Sequence, residues 1–188
     1  MKIRTDFVTN SSSSSFVTVR FNSRIIDQFF DNQEVIYDED PYTSIKELAD
    51  EIAVDLSGDD WLVGYTIPDD IRPTELLYLL LTYFDPDFER NEDADESMKR
   101  LIDYLKTNME QIEQEAVGEI FLVSNNDGDY PFVDGIRFDH GNVLRLKKEY
   151  DEEDDEAYET FCQAVDSQDI PAEMISELFD TYGVLDSE

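Results

Sequence analysis

A chain of 188 residues with 47 acids against 14 bases, a formal net charge of -33, is far more one-sided than soluble domains usually are, and this excludes binding of nucleic acid through a basic surface. Apolar residues at 40%, with 12 Phe and 10 Tyr, exclude wholesale disorder, and the length suits one domain, residues 1–188, that buries about 70% of the surface its unfolded form exposes. The longest apolar run, Leu76 to Phe84, falls far short of the roughly 20 residues of a membrane-spanning helix.

The lone Cys162 cannot form an internal disulfide, and the opening lacks a signal-peptide pattern, so a reducing, cytoplasmic setting is expected. In chain order, Phe16 to Phe21 alternates like a half-buried strand, with Ile3 to Thr9 as its expected partner and Ser11 to Ser15 as the connecting loop. Ser23 to Phe30 predicts a short helical turn carrying Ile25, Ile26, Phe29 and Phe30, followed by a brief strand at Glu34 to Asp38. Ser44 and Glu47 form a capping-box pattern ahead of Ile45, Leu48, Ala49, Ile52, Ala53 and Leu56 on one face, with Gly58 ending that helix. Trp61 to Ile67 reads as a strand closed by Pro68.

Pro73 opens a helix that is apolar on nearly all sides to Phe84 and is expected at the centre of the fold. The next helix, about Asp93 to Ala116, places Met98, Leu101, Ile102, Leu105, Met109 and Ile112 along one stripe. Glu119 to Ser124 is a strand, and Gly135 to Leu146 a hairpin turning at Asp139 to Asn142. Two helices finish the chain, the first with Tyr158, Phe161, Cys162 and Val165 on one face, the second with Ile175, Leu178, Phe179 and Tyr182. The expected class is α+β, a small, mostly antiparallel sheet packed with amphipathic helices, ending in an acidic helical segment from about residue 149.

No catalytic constellation is present, and no enzyme activity and no cofactor are expected. His140 is the only histidine, without the partners that a zinc site or a nucleophilic triad needs, and reads as a polar turn residue beside Gly141. Cys162 on an apolar face reads as core. Asn125, Asp127 and Asp129 alternate as in a calcium loop, but Tyr130 stands where the sharp-turn glycine belongs and Ile136 where the bidentate glutamate belongs, so no metal is expected.

The serine run contains no glycine and is not followed by lysine as in a phosphate-binding loop. The opening residues, Met1 to Phe16 (MKIRTDFVTNSSSSSF), resemble an N-terminal signature of assorted, mostly uncharacterised proteins of Gram-positive bacteria and their phages. That resemblance covers 16 of 188 residues; it implies a source and assigns neither fold nor activity.

The acids are clustered. From Glu149 to Glu188 there is no lysine or arginine, and Glu149 to Glu159 supplies eight acids in eleven positions; Asp85 to Glu96 forms a second cluster. A folded chain of this mass exposes roughly 9,000 Å², about one net charge per 280 Å², whereas B-DNA treated as a cylinder of ~10 Å radius carries about one per 110 Å². Only a clustered face reaches the density of DNA. The expected function is therefore a phosphate-imitating inhibitor of a basic nucleic-acid-binding protein, such as a CRISPR effector or a restriction enzyme, with no direct nucleic-acid contact. The expected binding residues are Asp151, Glu152, Glu153, Asp154, Asp155, Glu156 and Glu159 with Glu92, Asp93, Asp95 and Glu96. Tyr150, Tyr158 and Trp61 would add aromatic anchors. The alternatives are an immunity-type protein neutralising a basic toxin, and a solubility-adapted structural component.

Overall fold

The computed structural model describes residues 15–57, 65–85, 87–88, 94–124, 132–150, 155–167 and 169–186, with the backbone alone at 155–158, 162 and 166. Among these residues the fold is α+β, with six helices and seven strands. Five strands form an antiparallel sheet in the order β1-β4-β5-β6-β7: β1 (Ser15–Asn22), β4 (Val117–Ser124), β5 (Phe132–Asp139), β6 (Asn142–Glu149) and β7 (Val184–Leu185). A separate hairpin pairs β2 (Val35–Tyr37) with β3 (Asp40–Tyr42).

Helices cover both faces of the sheet. On one side, Val17, Val19 and Phe21 of β1, Ile120 and Leu122 of β4, and Ile136 and Phe138 of β5 share a core with four helices. These are α1 (Arg24–Phe30), α2 (Ile45–Leu56), α3 (Pro73–Leu81) and α4 (Glu96–Glu115). On the other side Phe121, Val123, Val133 and Leu146 pack with α5 (Asp155–Asp166) and α6 (Ala172–Tyr182). Strand periodicity produces this division, because successive β4 side chains enter opposite layers. The apolar run of β4 therefore signals burial on both faces, whereas the alternation of β1 leaves Arg20 and Asn22 exposed.

The helices follow their sequence signals. The Ser44 side chain accepts from the Glu47 N–H, while the Glu47 carboxylate accepts from the Thr43 N–H and hydroxyl, so only half of the expected capping box forms, and Ile45, Leu48, Ala49, Ile52, Ala53 and Leu56 are buried. Burial stabilises by about 1.5–3 kcal/mol for each of the larger side chains. In α1, Ser23 caps Ile26, and the Glu115 carboxylate accepts from the N–H groups of Arg24 and Ile25, tying the end of α4 to the start of α1. Glu113 likewise accepts from the Arg72 guanidinium at 2.7 Å and the Thr74 N–H at 3.2 Å at the start of α3.

Several expectations need correction. Tyr65–Ile67 is not a strand: the Ile67 N–H donates to the Asp134 side chain at 2.8 Å, and Tyr65 packs on Phe84 at 4.4 Å between ring centroids. Helix α3 stops at Leu81, because the Thr82 hydroxyl bonds back to the carbonyls of Tyr78 and Leu79 and both Tyr83 and Phe84 adopt positive φ. Tyr182 is 41% exposed and does not belong to the α6 core stripe. The expected partner strand Ile3–Thr9, the Gly58 stop and the Trp61–Gly64 part of the expected strand lie outside the described residues. So do the calcium-like stretch 125–131 and serines 11–14, while Ser15 begins β1. Among the described residues no helix is long and apolar enough to cross a membrane.

Two glycines carry the sheet geometry for different reasons. His140 (φ 48°) and Gly141 (φ 86°) make the two-residue turn between β5 and β6, the positive-φ geometry that favours glycine. Gly118 lies in register between Phe21 and Phe138, whose rings close over it at 4.6 Å between centroids. A Cβ there would stand 1.8 Å from the Arg20 carbonyl oxygen. We expect Gly118→Ala to destabilise by about 3 kcal/mol or more, the upper range for overpacking. Gly141→Ala, where a Cβ meets nothing within 4 Å, should lose only about 1–2 kcal/mol through its backbone conformation. Urea denaturation of both variants checks the order.

Candidate partner-binding surface

The β2–β3 hairpin is short and its turn is unusual. Asp38 (φ 48°) and Glu39 (φ 68°) both occupy the left-handed region; Asp is tolerated there, whereas Glu39 stands where glycine is favoured and is strained by about 1–2 kcal/mol. This turn holds three exposed acids, Asp38, Glu39 and Asp40, at one tip.

Helix α2 lies beside the hairpin and brings a second row of carboxylates. Glu47, Glu51 and Asp55 recur every four residues and so share one stripe, an arrangement in which like charges destabilise a helix by roughly 0.2–0.5 kcal/mol per pair. Asp55 accepts from the Tyr37 hydroxyl at 2.6 Å and the Tyr83 hydroxyl at 3.1 Å, joining α2, the hairpin and the end of α3. Tyr42 lies among these acids. Burial first, then Glu51, Asp40, Asp55 and Asp38 in that order, push its phenol above the ordinary tyrosine range.

The start of α4 adjoins the same hairpin, since the Ile36 N–H donates to the Ser97 hydroxyl at 2.7 Å. Asp95 caps this helix by accepting from the Ser97 N–H at 2.7 Å; the Ser97 hydroxyl and N–H bonds hold its carboxyl below the usual aspartate range. Glu96 is paired with Lys99 at 3.0 Å. Among the described residues, no lysine or arginine forms an ion pair with Asp38, Glu39, Asp40, Glu51 or Asp55.

The expected site residues are therefore divided. Asp95 and Glu96 belong to the α1–α4 layer, whereas Glu159 is exposed on α5 across the sheet, with Asp155 and Glu156 in the first turn of the same helix. Tyr150 is corrected: it is 6% exposed and stacks on Phe161 at 4.9 Å, with the Lys148 ammonium over its ring, so it is core and not a partner anchor. Asp151, Glu152, Glu153, Asp154, Glu92, Asp93 and Trp61 lie outside the described residues, as do the side chains of Tyr158 and Cys162. His140 is exposed in its turn, against Asp139. Among the described residues no group of three His, Cys, Asp or Glu side chains is arranged to hold a metal.

Sequence reasoning missed the hairpin–α2 acids. Asp38, Glu39 and Asp40 were legible as a run, but the stripe of Glu47, Glu51 and Asp55 joins them only through folding. The charge on this surface is measurable at Tyr42. Asp40→Asn combined with Glu51→Gln should lower the Tyr42 titration toward the ordinary value of 10.0 while leaving it above, because burial is the larger cause. An ultraviolet or NMR titration of the tyrosines reads the shift. Compared with known protein families, with characterised proteins and with solved structures, the chain matches none of them, so its functional reading rests on this surface alone.

Proposed function

We propose that the protein is an acidic inhibitor that docks its hairpin–α2 surface into the nucleic-acid-binding cleft of a basic partner, a nuclease or effector, in place of phosphates. The observation that carries this reading is the segregation of charge. The net charge of -33 over 11,296 Å² leaves one charge per roughly 340 Å², sparser than the ~110 Å² of B-DNA. Local clustering must supply the likeness.

On α2 it does so. Three carboxylates spaced four residues apart extend over about 12 Å of helix axis, where one strand of B-DNA carries three or four phosphates. Asp38, Glu39 and Asp40 widen the row, and Tyr42 adds a partly exposed ring beside it. Many bases are engaged elsewhere, in pairs such as Arg72–Glu113, Arg137–Glu119 and Arg145–Asp186. Long-range attraction would accelerate encounter with a basic cleft, and added salt would weaken it.

The test uses partners captured from a host lysate at low salt and identified by mass spectrometry, followed by competition with duplex DNA. The protein alone should not retard DNA or RNA. A variant carrying Asp38→Asn, Glu39→Gln, Asp40→Asn and Glu51→Gln should keep its fold, yet bind at least about tenfold more weakly, since four rim contacts near 0.5 kcal/mol each amount to about 2 kcal/mol. A second variant, with Glu152, Asp155, Glu156 and Glu159 neutralised, tests the acidic segment across the sheet. Unchanged affinity and salt dependence in the first variant would overturn the proposal, and weakening confined to the second would move the contact to the acidic segment.

A further inference from the structure

Residues 65–72 cross the β5–β6 half of the sheet without forming a strand, and four polar contacts hold them down. The Ile67 N–H donates to Asp134 Oδ2 at 2.8 Å, the Arg145 guanidinium donates to the Ile71 carbonyl at 2.6 Å, Lys147 pairs with Asp69, and Arg72 pairs with Glu113. Ile67 and Ile71, 3% and 8% exposed, fill the core beneath.

Asp134 is the anomaly under this segment. It is 1% exposed, and its second oxygen, Oδ1, has no hydrogen-bond partner among the described residues. Burying an ionised carboxylate with one oxygen unsatisfied opposes closure of the segment above it, whereas a neutral carboxyl opposes it much less. The charged and titratable groups around it are Lys147, directly opposite on β6, with Arg145 beside it, Asp69 and Tyr65 on the crossing segment, and the Arg72–Glu113 pair where that segment meets α4.

We propose that residues 65–72 are a proton-gated strap, closed over β5 and β6 when Asp134 is protonated and Asp69 is ionised, and loosened when either group changes its protonation state. The two groups act in opposite directions. Burial raises the Asp134 carboxyl above the ordinary aspartate value of 3.8, outweighing the Ile67 N–H and Lys147, so its contribution to closure is complete below that value and is lost as pH rises through the raised titration. The hydrogen bond and charge of Lys147 lower Asp69, so its contribution is complete above the ordinary value and is lost as pH falls through the lowered titration. The strap is tightest between the two.

Carboxyl ¹³C NMR of the intact protein from about pH 3 to pH 9 reads Asp134 directly. Hydrogen exchange at the Ile67 amide, corrected for intrinsic rates, reads the strap. Asp134 should titrate above the exposed aspartates, and Ile67 protection should fall about tenfold for each pH unit separating that titration from 3.8. The Phe121 amide in β4, which shares the global charge but not the strap, should show no matching step. Asp134→Asn should flatten the alkaline limb and Asp69→Asn the acid limb. The proposal is overturned if Asp134 titrates with the exposed aspartates, which needs no variant, or if the alkaline limb persists in Asp134→Asn.

Discussion

Strand β4 is the element on which the other parts of this fold depend. It pairs along its full length with β1 on one side and β5 on the other, and its last six residues are buried, alternating between two helical layers. Gly118 lets the neighbouring strands bring Phe21 and Phe138 together across it, so the three strands are locked by ring contact as well as by backbone bonds. With β5, which sends Ile136 and Phe138 to one side and Val133 to the other, β4 gives the α1–α4 layer and the α5–α6 layer their common surface. Ordering it requires contacts far apart in sequence, since Asn22 pairs with Val117, and such a sheet forms only after loop-closure entropy has been overcome.

The second constraint is charge, and the bases are placed where they hold layers together. Glu119, 6% exposed, sits in register between Arg20 on β1 and Arg137 on β5 and pairs with both. Arg137 also lies over the Phe179 ring at 4.4 Å and reaches Ser176 and Asp180, fastening α6 to the sheet. None of the six helices carries a basic residue in its last turn, where one would favour the helix dipole. The outer surface is thus not arranged for maximal stability. Carboxylates that repel one another on a folded surface oppose its stability, and under the proposed function that cost is offset by what they face in a complex.

The helices were legible because their signals are local. Ser44 with Glu47, the apolar stripe of α4 and Pro73 at the start of α3 depend on neighbours within a turn or two, and each appears where its residues predict. The hairpin β2–β3 was half legible: Val35–Tyr37 reads as a strand, but its return requires positive φ at Glu39 as well as at Asp38, and a glutamate does not advertise it. Tyr65–Ile67 has strand composition, yet the buried acceptor on Asp134 claims the Ile67 N–H that a ladder would have used. Tyr150 was misread because a tyrosine next to an acidic run looks like surface, whereas Phe161, eleven residues later, returns to stack on it. The candidate site was least legible, since a charged face is a property of packing: α2 and the hairpin combine what the sequence separates, and the sheet divides Glu96 from Glu159, which composition alone would have pooled.

That division limits how the acidic surfaces can be used. A helix with its side chains is about 10–12 Å across and packs roughly 10 Å from a sheet, so two helical layers with a sheet between them span about 30 Å or more. B-DNA, at ~10 Å radius, is about 20 Å wide by the same cylinder description. A cleft shaped for one duplex would therefore grip one face of this protein and leave the other in solvent. If the hairpin–α2 face fills such a cleft, the α5 acids contribute through the long-range field and not through contact, and neutralising them should slow association far more than it speeds dissociation. Carboxylates on α2 would act in the reverse sense, because contacts desolvated in the complex chiefly govern dissociation. The kinetic phase in which each cluster acts, more than the size of its effect, identifies the face that touches the partner.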